Sequence, residues 1–106
     1  MKNDGKNNIA VFKSVIKSLA NDAVADIDGV MIADAKLFKK SVIEVEFLEN
    51  DKVSVRLPII IELGFNVPTT VAAVQEKVKD EIEKTTRFVV NSIDVEIVSV
   101  SVAQVG

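Results

Sequence analysis

Apolar residues recur at Ile9, Phe12, Val15, Ile16, Leu19, Ala20 and Ala23, with Lys13, Lys17 and Asn21 on the other side. Spacings of three and four place these residues on one face of a helix, so the pattern predicts an amphipathic helix. Asn7 or Asn8 is available to cap its start. Its end is expected near Asp28-Gly29, where glycine can take the left-handed conformation that closes a helix. Residues 1–8 are polar and read as a flexible N-terminus. The stretch VMIADAKLFKK that follows Gly29 has mixed character, and no regular element is assigned to it.

The period then changes to two. Ile43, Val45 and Phe47 alternate with Val42, Glu44 and Glu46, and Val53, Val55, Leu57, Ile59 and Ile61 alternate with Ser54, Arg56, Pro58 and Glu62. Two strands joined by the polar turn Glu49-Asn50-Asp51-Lys52 predict an antiparallel hairpin. Pro58 cannot donate to a ladder, so its strand is placed at an edge and the first strand at the centre. Gly64 breaks the second strand, Pro68 suits a first helical turn, and Val71, Val74, Val78 and Ile82 form one stripe of a second helix. On its outer face, Lys77 with Glu81 and Asp80 with Lys84 stand four apart and are expected to pair. From Phe88 to Val102 the chain is strand-like, but its apolar phase shifts from Ile93, Val95 and Ile97 to Val98, Val100 and Val102. A bulge or bend accommodates such a shift. The expected fold is α+β, in the order α-β-β-α-β. Both helices lie on one face of a three-stranded mixed sheet of order 2-1-3, the last strand beside the first and antiparallel to it.

At 106 residues and 48% hydrophobic composition, one domain with a continuous core is expected. No apolar run approaches the roughly 20 residues that span a bilayer, and the polar start MKNDGKNN lacks the apolar stretch of an export signal. A cytoplasmic protein is therefore expected, and the absence of cysteine fits that compartment. Thirteen basic against sixteen acidic residues give a net charge of −3, which disfavours a nucleic-acid partner. Lys36, Lys39 and Lys40 cluster locally and read as solvated surface.

With no histidine and no cysteine, triad catalysis and the commonest transition-metal ligands are excluded. Ser14 and Lys17 have the S-x-x-K spacing of a serine nucleophile and its lysine, but the companion motifs are missing and a helix surface explains the pair. Asp22, Asp26 and Asp28 lack the ligand spacing and distal Glu of a calcium loop. Gly64, Asn66 and Pro68 are explained by turn and cap chemistry. There is no glycine-rich phosphate cradle and no G-x-x-G clamp, and of the five aromatics, all Phe, Phe12 and Phe47 fall on core faces. No catalytic, cofactor-binding or metal-binding residue is assigned, and no enzyme is expected.

Three motifs occur in order: Gly64-Phe65-Asn66-Val67-Pro68, then Val74-Gln75-Glu76-Lys77-Val78-Lys79, then a strand from Val90 through Ile97. Together with a first helix ending in Gly29-Val30, they resemble the alkaline shock protein family, with the domain running over 9–106. Two departures stand out. Thr86-Arg87 replaces the usual Thr-Gly after the second helix, and the hairpin turn lacks the frequent Asp-Gly, which suggests a looser turn.

The resemblance implies a non-enzymatic protein of Gram-positive bacteria or their relatives. It implies self-association, a small membrane anchor protein as partner, and a peripheral place at the inner face of the membrane without direct insertion. Other paralogues are linked to fatty-acid synthesis through acetyl-CoA carboxylase. The function expected is a scaffold or adaptor in envelope stress or homeostasis. The alternatives are a regulator of fatty-acid metabolism that binds an enzyme or an acyl ligand beside Val71, Val74 and Val78, or an RNA-binding module. Gly64, Asn66, Val67, Pro68, Val74, Gln75, Val78 and Lys79 are read as structural motif residues. The strand around Val98, Val100 and Val102 is the candidate interaction surface, able to add to another sheet.

Overall fold

A computed structural model describes residues 4–33, 35, 36 and 42–102, with side chains in the first helix from Ile9 onward. Its elements are α1 (Asp4–Ala25), β1 (Val30–Ile32), β2 (Glu44–Leu48), β3 (Lys52–Glu62), α2 (Val67–Thr85) and β4 (Val89–Ser101). The fold is α+β, with a four-stranded rather than a three-stranded sheet. The first helix spans Asp4–Ala25, so Asn7 and Asn8 lie within it rather than at its start. Lys39 and Lys40 lie outside the described residues.

The sheet is organised around β3, which corrects the expected strand order. Along one side of β3, β2 pairs antiparallel from Glu44↔Arg56 to Leu48↔Lys52, and β1 pairs antiparallel from Val30↔Ile61 to Ile32↔Ile59. Along the other side β4 runs parallel to β3 for its whole length, from Lys52↔Val89 to Glu62↔Ser101. The last strand therefore lies beside the second hairpin strand, and Pro58 sits in the central strand rather than at an edge.

Pro58 is tolerated there because of a gap. Pairing to β2 stops at Arg56 and pairing to β1 starts at Ile59. The N–H of Ala33 donates to the Pro58 carbonyl at 2.9 Å, so the polar edge of Pro58 faces this side. Pro58 thus stands opposite Ala33, just past the end of the three-residue β1 pairing, so its missing N–H removes at most the terminal bond of that short ladder. No sequence signal marks β1, because three residues carry too little alternation.

Both helices pack on the face that carries Val53, Val55, Leu57, Ile59 and Ile61, all essentially inaccessible. Ile16, Ala20, Ala23 and Val24 come from α1, and Val74, Val78 and Ile82 from α2. Fully burying a side chain of this size is worth about 1.5–3 kcal/mol, so this layer dominates stability. Ile9 and Val15, placed on the apolar face of α1 by spacing, are substantially exposed.

Surface ion pairs follow other partners than expected. Lys77 reaches Asp26 of α1 at 4.0 Å, Lys84 reaches Glu81 at 3.5 Å, and Lys79 reaches Glu83 at 4.0 Å. The hairpin turn is tight rather than loose: Leu48 pairs with Lys52, and Asn50 and Asp51 take φ of 62° and 58°. Asn and Asp are the non-glycine residues that best tolerate that conformation, which replaces the need for Asp-Gly.

Candidate functional site

The motif residues of α2 build its start and then its seam with β4. Gly64 takes φ of +106°, turning the chain out of β3. Asn66 caps the helix, its side-chain oxygen accepting from the N–H of Thr69 at 2.9 Å, and Val67 and Pro68 form the exposed first turn. Val74 and Val78 are fully buried. A second turn is pinned to this one: Gly29, with φ of +83°, lies so close under Phe65 that a Cβ there would come within 2.5 Å of the ring.

Gln75 and Lys79 stand one turn apart on the flank of α2 that looks toward β4. The amide Nε2 of Gln75 donates to the Ile93 carbonyl at 2.9 Å. Lys79 holds one oxygen of Glu83 at 4.0 Å, and the other accepts from the Val90 N–H at 2.8 Å. The Val89 N–H points the opposite way, to the Asp51 carbonyl beside β3. So Val90 and Ile93 present their backbone groups to the outer edge of the sheet, and side chains of α2 satisfy both. A hollow of about 520 Å³ follows this seam, lined by Ala72, Gln75, Glu76 and Lys79 against Val90 to Asp94.

Beyond Ile93 the cover ends. With Glu83 level with Val90 and Gln75 level with Ile93, α2 runs out near Ile97. A helix of 19 residues is about 28 Å long, whereas a 13-residue strand is about 43 Å. The ladder aligns Leu57, Ile59 and Ile61 with Val95, Ile97 and Val100, on the core face. Exposure rises along the overhang, 41% at Ile97, 53% at Val100 and 75% at Val102, and Leu63 beside them is 63% exposed. Val98 is half-buried and is the extra residue of a bulge, since Ile59 pairs with Ile97 but Ile60 with Ser99. This is the phase shift visible in the sequence. A second shift, at Asn91, had no such signal.

At the other end of the sheet, Phe88 meets Phe12 and Phe47 edge-on, with ring centroids 5.2 and 5.4 Å apart. Arg87 stacks its guanidinium over Phe12 and Phe88 and approaches Asp51 at 3.7 Å. The helix ends before it without a glycine: the Thr86 hydroxyl donates to the Ile82 carbonyl at 2.8 Å and accepts from the Phe88 N–H at 3.0 Å. The sheet face away from the helices carries Glu44, Glu46, Asp94 and the Arg56–Glu96 pair at 3.3 Å. Among the described residues, no group of three or more acidic side chains is placed to hold a metal ion, and no helix is long and apolar enough to cross a membrane.

The architecture is that of a small α+β domain whose most distinctive surface is a half-covered strand edge. A family model matches residues 1–102, and the chain belongs to the alkaline shock protein 23 family, described by a cell envelope-related function. Comparison with curated proteins and with solved structures returned no match.

Proposed function

We propose that this protein is a non-catalytic adaptor of the cell envelope that works through protein contacts made by the uncovered half of the β4 edge. The observation that carries this reading is the overhang from Ile97 to Val102. Among the described residues it combines unpaired backbone groups with apolar side chains that neither helix covers, which is the surface an added strand requires. Family membership sets the setting, and a small membrane-anchored protein is the partner in that setting. The acidic open face, with Glu44, Glu46, Asp94 and Glu96 around Arg56, disfavours direct contact with anionic lipid or nucleic acid.

Acyl-ligand binding between helices and sheet has less support. Val74 and Val78 are already packed against the sheet, and Val71 is half-buried on the same core. Six of the nine residues lining the hollow beside α2 are polar, although the wall it exposes is more apolar than polar, with Ala72, Val90 and Ile93 contributing.

The test is recovery of a tagged copy from its own host cells, with membrane and soluble fractions kept separate and partners identified by mass spectrometry. A small transmembrane protein recovered with the wild type and lost with Val100→Lys supports the reading. Carboxylase subunits recovered from the soluble fraction, equally with both, replace it with the metabolic one.

A further inference from the structure

Three strands carry charges in one row across the sheet face that the helices leave open. Glu44 of β2 pairs with Arg56 of β3, and Arg56 pairs with Asp94 of β4, so the row reads acid, base, acid. The guanidinium of Arg56 also reaches Glu96, two residues further along β4 on the same face, at 3.3 Å. One cation thus stands among three carboxylates, and the two on β4 lie at the outer end of the alternation. A basic side chain on a further strand continues it.

The opposite face of β4 has different chemistry. Toward the helices, the ladder sets Val95, Ile97 and Val100 beside Leu57, Ile59 and Ile61. The backbone alternates in step with the side chains. The Ile93 carbonyl points out to Gln75, and the Ser101 carbonyl points in, accepting from the Leu63 N–H at 2.7 Å. So Val95, Ile97 and Val100 turn their backbone groups outward, whereas Asp94 and Glu96 turn theirs toward β3. Val95 is the first outward position beyond the one that Gln75 occupies.

A strand laid along this edge has to match both faces. Directly opposite residues of an antiparallel pair carry their side chains on the same side of the sheet. Residues opposite Val95, Ile97 and Val100 therefore lie toward the helices, beside apolar side chains. Residues opposite Asp94 and Glu96 lie on the open face, where a further carboxylate meets a like charge and a lysine or arginine meets its complement. The bulge at Val98 is no barrier to a regular strand. On the inner side β3 already crosses it, with Ile59 opposite Ile97 and Ile60 opposite Ser99.

We propose that the β4 edge receives a short extended segment of its protein partner in which apolar residues alternate with lysine or arginine, the apolar set toward the helices and the basic set beside Asp94 and Glu96. This rests on the reading that the open β4 edge is the contact surface, and adds the chemistry of its occupant. Main-chain bonds and apolar contact supply the affinity, and the two carboxylates decide which strand is accepted.

The test uses three capped octapeptides: valine alternating with lysine, valine alternating with glutamate, and the valine–lysine composition sorted into two blocks. Each is titrated into the full chain, with binding and amide exchange followed by NMR. The alternating valine–lysine peptide is expected to slow exchange at Val95, Ile97 and Val100 and to leave the inward amides of Asp94 and Glu96 unchanged. It is expected to bind about tenfold more tightly than the valine–glutamate peptide, and more tightly than the block peptide. Asp94→Lys with Glu96→Lys is expected to reverse the order of the two alternating peptides. The neutral pair Asp94→Asn with Glu96→Gln is expected to remove the preference, and keeps the test decisive if added lysines beside Arg56 disturb the fold.

Equal affinity for the two alternating peptides, or a preference that neither variant alters, overturns the proposal and leaves the edge reading standing. Shifts confined to Glu44, Glu46 and Arg56, without slowed exchange at Ile97 and Val100, overturn it as well, because the lysines then dock flat on the open face. If no peptide protects the edge while Val100→Lys still loses the membrane partner, the alternating chemistry falls and the adaptor reading stays. Protection with the expected preference, but partner recovery unchanged by Val100→Lys, keeps the chemistry of the edge and removes the adaptor reading.

Discussion

Gln75 reaches out of α2 to donate to the carbonyl of Ile93, 2.9 Å away and eighteen residues on. Together with the carboxylate of Glu83 on the Val90 N–H, it makes the helix a partial substitute for a fifth strand. Gln75 and Lys79, two polar residues of the family's helix motif, thus lie on the flank that satisfies this part of the edge. Glu83→Ala leaves the Val90 amide without its acceptor. Its hydrogen exchange, followed by NMR, is expected to quicken about tenfold, the equivalent of about 1.4 kcal/mol. Exchange of the Val89 amide, which bonds to Asp51 on the other side, is expected to change much less.

Gly29 and Phe65 hold the α1–β1 turn against the β3–α2 turn. Gly29→Ala meets two penalties, the positive φ and the ring in contact distance. Together they are expected to cost about 2–4 kcal/mol in chemical denaturation. In a Phe65→Ala background only the backbone term remains, and the same substitution is expected to cost about 1–2 kcal/mol. A double-mutant cycle checks the difference; equal costs in both backgrounds would show that the ring moves aside freely.

The parts of this fold legible in the sequence are those where burial and periodicity agree. The β3 alternation from Val53 to Ile61, the α2 stripe of Val74, Val78 and Ile82, and the Asn66–Pro68 helix start are all found where the pattern puts them. The failures share one cause, that local rules do not see neighbours. Pro58 argues for an edge unless one knows that β1 and β2 leave a gap opposite it. Val30–Ile32 is too short to alternate, and Lys77 finds Asp26 on another helix. Of the candidate surface, the phase shift at Val98 and the uncharged run after it were readable. That α2 stops near Ile97 required the register between helix and strand.

The hairpin turn gives a sharper test of local geometry. Asn50 holds φ of 62° between strands that are paired right up to Leu48 and Lys52. Asn50→Gly is expected to lie within about 0.5 kcal/mol of wild type, because glycine adopts the conformation freely but loses more entropy on folding. Asn50→Ala puts a Cβ into that conformation without the side-chain amide, and is expected to cost about 1 kcal/mol by urea denaturation. An Ala variant as stable as the Gly variant would mean that the turn relaxes to another form.

Ile59 and Ile97 are direct partners in the β3–β4 ladder, yet one is inaccessible and the other 41% exposed. Ile59→Ala opens a cavity at the centre of the core and is expected to cost about 2–5 kcal/mol at any protein concentration. Ile97→Ala removes a side chain that a single chain only partly buries, and at high dilution is expected to cost about 1 kcal/mol. If β4 is covered by an added strand, the wild-type melting temperature rises with the concentration of the alternating valine–lysine peptide, because binding stabilises the folded chain by mass action. That slope is expected to persist in Ile59→Ala and to flatten in Ile97→Ala. Melting curves over a wide concentration series measure both, and a wild-type transition independent of concentration would leave Ile97 with its single-chain cost alone.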